Sequence, residues 1–258
     1  MSDAAVLVAR AGAIGALTLN RPEKRNALDS AVVDSLARGL DELASDETVR
    51  VITLRGAGND FCAGADLAQL ERIAAGADAM ENLRDAQSLG AVFVQMRTTP
   101  KPIIALVRGH AVAGGAGLAA ACDIVLASDD SVFAYPEVRL GFVPAMVMAM
   151  LRRSVGEKVA FELVVNSEPV FAPDALQHGL VNKVYPAVDF EHEAEQYVTG
   201  IAKHSASAVA LTKRLLYGMD GMSFDEAIAR GAEINALART TDDCRAGVRK
   251  FLEKKRKE

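Results

Sequence analysis

Hydrophobic residues in the first half of the chain fall into short runs that are typical of buried β-strands. The runs are rich in Val, Ile and Leu, and most of them end at glycine or at a Ser-Asp pair, which are common turn residues. Ala11 and Gly12 separate the first two runs, which predicts a β-hairpin. The predicted strands are residues 5–9, 13–19, 49–55, 103–108 and 123–127.

Helical spacing alternates with these runs and dominates the chain after Pro144. In the first such segment, apolar residues recur on one helical face, with Asp29 or Ser30 as the helix cap. That face consists of Leu28, Val32, Leu36, Leu40 and Leu43. Ser223 and Glu226 have the spacing of a capping box, which opens a later helix. The pattern predicts an α/β core over residues 1–200 and a helical region over residues 201–258.

Composition narrows the class of protein. Half of the 258 residues are hydrophobic, as in ordinary globular proteins, and no run reaches the roughly 20 apolar residues of a membrane span. The 29 basic and 34 acidic residues give a net charge of −5, which argues against nucleic-acid binding. Cys62, Cys122 and Cys244 lack the spacing of a disulfide framework or a zinc site. We therefore expect reduced thiols, no metal, no membrane partner, and a cytoplasmic protein.

Two segments rich in Gly and Ala each follow a predicted strand and precede a predicted helix. They are residues 61–67 and 109–118. Such a turn lets a ligand approach the backbone, and a helix start offers free N–H groups. Two such groups facing each other would stabilise one developing negative oxygen. Tight packing of strand against helix, without any ligand, is the alternative interpretation.

Glu137 is the candidate acid or base, because it lies in a mostly apolar stretch between Pro136 and Val138. Burial would raise the pKa of an isolated carboxylate there and suit it to proton transfer near neutral pH. The alternative is a surface glutamate paired with Arg139, and the spacing alone does not decide between the two.

Four segments in order along the chain resemble the crotonase superfamily, which is the enoyl-CoA hydratase/isomerase family. They are residues 20–28, 61–67, 109–124 and 133–144, and the similarity continues to residues 251–254. The resemblance implies an α/β fold of the ClpP/crotonase type, a spiral of ββα units with a C-terminal helical trimerisation region. Residues 1–200 would form the acyl-CoA-binding core, and residues 201–258 would assemble homotrimers or dimers of trimers.

The resemblance also implies roles for individual residues. The backbone N–H groups of Ala65 and Gly114 would form an oxyanion hole for an acyl-CoA thioester, and Glu137 would be the catalytic acid/base. CoA would enter as part of the substrate, with no further cofactor. By their motif positions, the residues implied to contact CoA or the acyl group are Arg25, Ala27, Ala63, Asp66, Leu67 and Gly117, and from a neighbouring subunit Phe251 and Lys254.

The sequence departs from the hydratase pattern at one position. Hydratases of the family carry two glutamates that handle water, and the first of these falls on Gly117. A single glutamate at Glu137 resembles the Δ3,Δ2-enoyl-CoA isomerases, in which one carboxylate moves a proton from C2 to C4. The aspartate of other isomerases in the family falls on Ala145. Gly117 could also leave room for a larger acyl chain or for a water molecule.

These observations favour an acyl-CoA enzyme that works through an enolate, by double-bond isomerisation or by hydration. The alternative from another class is a catalytically silent acyl-CoA-binding protein on the same fold. RNA binding is disfavoured by the acidic charge, and no Gly-x-Ser-x-Gly motif supports a serine peptidase.

Overall fold

A mixed β-sheet forms the centre of the protein in a computed structural model that describes residues 4–76 and 78–256. Its strands lie in the order β1-β2-β3-β4-β6-β9; β1 and β2 are antiparallel and the other neighbours are parallel. A smaller sheet has the order β5-β7-β8. The strands are β1 Val6–Ala11, β2 Ile14–Leu19, β3 Val51–Gly56, β4 Ile103–Val107, β5 His110–Val112, β6 Ile124–Ser128, β7 Val132–Ala134, β8 Val170–Phe171 and β9 Lys183–Tyr185.

Helices connect the strands and form the C-terminal part of the described chain. They are α1 Ser30–Ser45, α2 Leu67–Ala74, α3 Ala79–Thr98, α4 Gly114–Ala121, α5 Ala145–Ser154, α6 Glu157–Asn166, α7 Ala172–His178, α8 Phe190–Ala202, α9 Ala206–Gly218, α10 Phe224–Arg239 and α11 Asp242–Lys255. Asp29 caps α1 by accepting a hydrogen bond from the Val32 N–H at 2.9 Å. The two-way capping box at Ser223 and Glu226 opens α10, as the sequence predicts.

Helices cover both faces of the large sheet. On one face, α1, α3, α4 and α5 pack into the main hydrophobic core, to which the apolar stripe of α1 contributes Leu36, Leu40 and Leu43. On the other face, Phe190 and Val198 of α8 pack against β3, β4 and β6. Burial on both faces explains why these parallel strands read as continuous apolar runs.

The α/β prediction and the early strands are confirmed, including the hairpin, whose turn contains Gly12 at a φ of +58°. The expectation that nearly everything after Pro144 is helical is wrong for β8 and β9. β9 contains only three residues and completes the edge of the large sheet beside β6. Among the described residues, no helix is both long and apolar enough to cross a membrane.

Candidate active site

The loop that leads from β3 to α2 leaves one backbone donor without a partner. Gly64 has a φ of +86°, a conformation that favours glycine. On either side of Ala65, hydrogen bonds join the loop to Leu28: the Leu28 N–H donates to the Gly64 oxygen at 2.7 Å, and the Asp66 N–H donates to the Leu28 oxygen at 3.0 Å. The N–H of Ala65 itself donates to no acceptor among the residues that the structure describes.

The loop from β5 to α4 leaves a second backbone N–H group without an acceptor among the described residues. Ala113 lies at φ +50° and ψ −120°, a strained region for any residue except glycine. Its N–H donates to the Ala134 oxygen at 2.8 Å, which anchors the loop to β7. Gly114 then starts α4, and its N–H, one of the free groups of a helix N-terminus, has no acceptor within the described part of the chain.

The two loops are in direct contact. The Cys62 N–H donates to the His110 oxygen at 3.0 Å, and the Val112 N–H donates to the Cys62 oxygen at 2.9 Å. A Cβ atom at Gly64 would lie 2.8 Å from the Val112 oxygen and 3.5 Å from the Gly114 nitrogen. The close approach therefore requires glycine at position 64 and brings the two unpaired donors next to each other.

The carboxyl group of Glu137 lies in the same cavity, on a short 3-10 helix over Glu137–Leu140. The residue is half-buried, and its Oε2 atom is buried without a hydrogen-bond partner among the described residues. Desolvation raises the pKa of Glu137 above its ordinary value of 4.5. The alternative pairing with Arg139 is wrong, because Arg139 donates to Glu168 at 2.6 Å.

A cavity of about 450 Å³ contains these groups. Ala63, Ala65, Gly114 and Glu137, four of the residues singled out from the sequence, line it. The rest of the lining comes mainly from the start of α1, from α2 and α3, and from the segment between Glu137 and α5. Its size is that of an ordinary small-molecule site.

Gly117 lies behind the cavity wall and does not line it. A Cβ atom there would lie 2.6 Å from Val147 Cγ2 and 3.4 Å from the Phe93 Cζ atom. Val147 from α5 therefore occupies the space beside Gly117. The expectation that Gly117 leaves room for a larger acyl chain or for water is wrong, because that room is already filled.

The remaining predicted CoA contacts lie outside the cavity lining. Asp66 is buried, accepts hydrogen bonds from Arg21 at 2.8 Å and Lys24 at 3.2 Å, and accepts another from the Ala68 N–H at the start of α2. Ala27 is also buried, and its oxygen accepts a hydrogen bond from Arg21. Both residues hold the loop in shape, and their assignment to the CoA site stays a prediction.

Arg25, Leu67, Phe251 and Lys254 lie on the surface. Arg25 donates to Asp60 at 2.7 Å, and Leu67 is 76% exposed at the start of α2. Phe251 and Lys254 are exposed on α11, which packs against α9 and α10 of its own chain. Their assignment to the CoA of a neighbouring subunit stays a prediction.

Asp60 ties Arg25 to the strand that precedes the second loop. It accepts hydrogen bonds from the His110 N–H at 3.0 Å and from Arg25, and its Oδ1 lies 2.7 Å from His110 Nδ1. Burial alone would raise the pKa of Asp60, but the hydrogen bonds from Arg25 and His110 lower it to about 2. His110 thus serves to hold the two loops together.

Cys62 is fully buried, and desolvation raises the pKa of its thiol to about 12, which argues against a nucleophile. Within the described ranges, no group of three or more His, Cys, Asp or Glu side chains is placed to hold a metal ion.

Sequence reasoning missed much of the cavity wall. The lining side chains that were not predicted from the sequence include Gln69, Asn82, Asp85, Ser88, Phe142 and Val147. Those from α2 and α3 read as polar positions on surface helices. The helical spacing of Asn82, Asp85 and Leu89 was the available signal, since it places all three on one face.

Comparison with known proteins agrees with this geometry. The family model described as enoyl-CoA hydratase/isomerase matches residues 9–258. A putative enoyl-CoA hydratase of Thermus thermophilus is 42% identical over 244 residues, which are 95% of this chain and 96% of that protein. The 2,3-dehydroadipyl-CoA hydratase of Escherichia coli is 33% identical, over 97% of this chain and 96% of that protein.

A solved structure shares the fold of this chain. The crystal structure of an enoyl-CoA hydratase from Mycobacterium smegmatis superposes with a TM-score of 0.92 at 34% identity, covering 97% of this chain and 96% of that one. The chain therefore has the crotonase fold and belongs to the enoyl-CoA hydratase/isomerase family.

Proposed function

We propose that this protein isomerises the double bond of an enoyl-CoA thioester, with Glu137 as the only proton carrier. One observation carries the proposal: a half-buried carboxyl group, whose Oε2 atom has no partner among the described residues, shares a cavity with two adjacent backbone donors that have no acceptor among them either. Buried polar groups normally have partners, so unsatisfied ones in a cavity are suited to a ligand.

The chemistry follows from these groups. The thioester oxygen accepts hydrogen bonds from the Ala65 and Gly114 N–H groups, which stabilise the negative charge as it develops. The Glu137 carboxylate removes a proton from C2 of a 3-enoyl-CoA and leaves a dienolate. The protonated Glu137 then returns that proton at C4, and the double bond moves to C2–C3. No atom is gained or lost, and no water is consumed.

The absence of a second acid in the neighbouring positions favours isomerisation over hydration. Gly117 carries no side chain, and Val147 fills the space beside it. Ala145 lines the cavity with a methyl group. Hydration needs a group that activates water for attack at C3, and neither position supplies one.

Hydration is the second candidate, and the printed names of the relatives favour it. The Thermus thermophilus and Escherichia coli proteins are both called hydratases. In that reaction Glu137 would have to act on water as well as on the substrate carbon.

Assays with trans-3-hexenoyl-CoA and trans-2-hexenoyl-CoA separate the candidates. We expect the first to give the conjugated 2-enoyl product without a change of mass, and the second to gain no water. Glu137→Gln should lose at least about 10²-fold in kcat, in the range of general acid/base catalysis. The matched control is Glu168→Gln, which removes an exposed carboxylate outside the cavity and should keep full activity.

Addition of water to the 2-enoyl substrate would contradict the isomerase proposal and support the hydratase. Tight binding of both thioesters without turnover of either would favour the silent binder.

Assembly into trimers forms part of the same proposal. The C-terminal helices expose large apolar side chains, among them Phe224 at 79%, Ile228 at 59% and Phe251 at 60%. Phe224 and Ile228 lie one turn apart on the same face of α10, and adjacent exposed apolar side chains are typical of interaction sites. Sedimentation equilibrium should give three or six times the chain mass, and Phe224→Asp should shift the protein towards monomer. A wild-type monomer would contradict the proposal.

A further inference from the structure

The cavity lining has an uneven charge. Asp29, Asp85 and Glu137 contribute carboxyl groups, whereas no Lys, Arg or His of the described chain lines the cavity. A ligand group that enters the cavity with a negative charge would therefore find carboxylates and no cation within the lining. Burying an unpaired charge is costly, and a like charge nearby increases that cost.

Two of the three carboxyl groups are accounted for. Asp29 is neutralised by Arg21, whose Nη1 lies 2.8 Å from Asp29 Oδ2, and it also caps α1. Glu137 belongs to the proposed chemistry. Asp85 is therefore the lining carboxylate whose purpose the proposed reaction leaves open.

Asp85 is weakly paired. Its Oδ2 accepts a hydrogen bond from Gln69 Nε2 at 3.2 Å, and the nearest cation, Arg72 Nη2, is 3.9 Å away on a side chain that is 57% exposed. Its Oδ1 accepts no hydrogen bond from the residues that the structure describes. The carboxylate thus keeps a free acceptor oxygen.

Asp85 lies one turn along α3 from a side chain that packs beside Gly114. It lies one helical turn before Leu89 on the same face of α3, a step of about 6 Å along the helix axis. Leu89 Cδ2 would lie 3.8 Å from a Cβ atom at Gly114. The polar wall that begins at Asp85 and continues to Asn82 therefore starts within one turn of the proposed oxyanion hole.

We propose that Asp85 makes this cavity select acyl groups that are uncharged or carry a hydrogen-bond donor, and reject acyl groups that end in a carboxylate. The proposal rests on the enoyl-CoA activity proposed above and names its substrate class. An amide or hydroxyl at the far end of the acyl chain would donate to the free Oδ1, whereas a carboxylate there would meet a like charge. Rejection by unfavourable charge is a common source of specificity.

The test compares six-carbon substrates that differ only at the far end of the chain. They are hexenoyl-CoA, the six-carbon enoyl-CoA that ends in a carboxylate, and its ω-amide, each with the double bond in the position that the protein turns over. The amide and the carboxylate have the same shape, so their ratio isolates charge. We expect the wild type to prefer the amide in kcat/KM by about tenfold or more, in keeping with a charge pair near the protein surface.

Asp85→Asn removes the charge and keeps the shape, and it should bring the amide-to-carboxylate ratio close to one. Glu81→Gln is the control, because Glu81 lies one turn earlier on α3, faces the same Arg72 at 3.6 Å and is outside the cavity lining. It should leave the ratio unchanged.

Two results would overturn this inference while leaving the activity intact. In one, the wild type turns over the carboxylate as well as the amide. In the other, Asp85→Asn changes KM equally for all three substrates, which would place Asp85 against the CoA portion. Failure to turn over any of the three, hexenoyl-CoA included, would instead contradict the proposed function.

Discussion

A double-mutant cycle between Gly117 and Val147 tests the claim that packing occupies the place of a second acid. In Gly117→Ala, the new Cβ would lie 2.6 Å from Val147 Cγ2, closer than such atoms approach in real structures. Overpacking of this kind costs about 1–3 kcal/mol. Alanine recovers about 0.5–1 kcal/mol over glycine within a helix, and position 117 is inside α4. The expected net loss of stability is therefore about 0–2.5 kcal/mol.

The effect of Gly117→Ala on stability should change sign in a Val147→Ala background. Val147 is 4% exposed, and Val147→Ala alone should cost about 1.5–3 kcal/mol from lost burial and the resulting cavity. In that background the clash is gone, so Gly117→Ala should gain about 0.5–1 kcal/mol from helix propensity. The two substitutions should thus be coupled by about 1–3 kcal/mol.

Urea unfolding of the four proteins at one fixed protein concentration measures this coupling, since assembly would otherwise shift the apparent stability. Ala120→Gly is the control for helix propensity, because it lies on the same helix at a position that is not fully buried. Additivity of the Gly117 and Val147 effects within about 0.5 kcal/mol would refute the packing argument. The space beside Gly117 would then be open to a side chain or to water.

Three further predictions address the proton carrier, the strained loop and the C-terminal helices. Burial raises the pKa of Glu137, and its carboxylate form is the base. In a pH–rate profile, kcat/KM should therefore fall on the acid side with a midpoint above 4.5. A midpoint at or below 4.5 would contradict the role of Glu137 as the base. The same raised pKa makes the folded state less stable as pH rises through it, so Glu137→Gln should keep or raise Tm at pH 7 while activity is lost. Ala113→Gly should relieve the positive φ and stabilise the protein by about 1 kcal/mol in urea unfolding, and a loss of stability would show that the loop is not strained. Lys213 Nζ lies 2.7 Å from the carboxylate of Asp123, and Lys213→Met would leave that carboxylate buried without its cation. The substitution should lower the free energy of unfolding by about 3–5 kcal/mol in urea. A cost below about 1 kcal/mol would contradict this.

Local patterns predicted the framework of the fold because each carried its own signal. The α1 stripe and its Asp29 cap, the β1–β2 hairpin and the parallel core strands are all visible within short windows. β9 was missed because three residues cannot establish a period, and its strand conformation comes from pairing with β6. Tertiary pairing decided that segment.

The residues that carry the proposed chemistry could be predicted from the sequence, but the packing around them could not. Motif resemblance located Ala65, Gly114 and Glu137 in one cavity, because backbone donors and a lone carboxylate occupy fixed places in an ordered set of loops. It did not reveal that Val147 fills the space beside Gly117, since the contact joins α4 to α5. Nor did it reveal Asp85, which reads as an ordinary polar residue until α3 is placed against the cavity.

Transfer of a labelled hydrogen tests the central claim, a single carboxylate that both removes and returns the proton, most directly. Trans-3-hexenoyl-CoA carrying deuterium at C2 would be incubated with the protein in ordinary water, and the product analysed at early times by NMR and mass. We expect a measurable share of the product to carry the C2 deuterium at C4, and Glu137→Gln to form product at least about 10²-fold more slowly. Product that carries only solvent hydrogen at C4, even in the first turnovers, would contradict direct return of the proton by Glu137, because the C4 hydrogen would then come from solvent or from a separate acid.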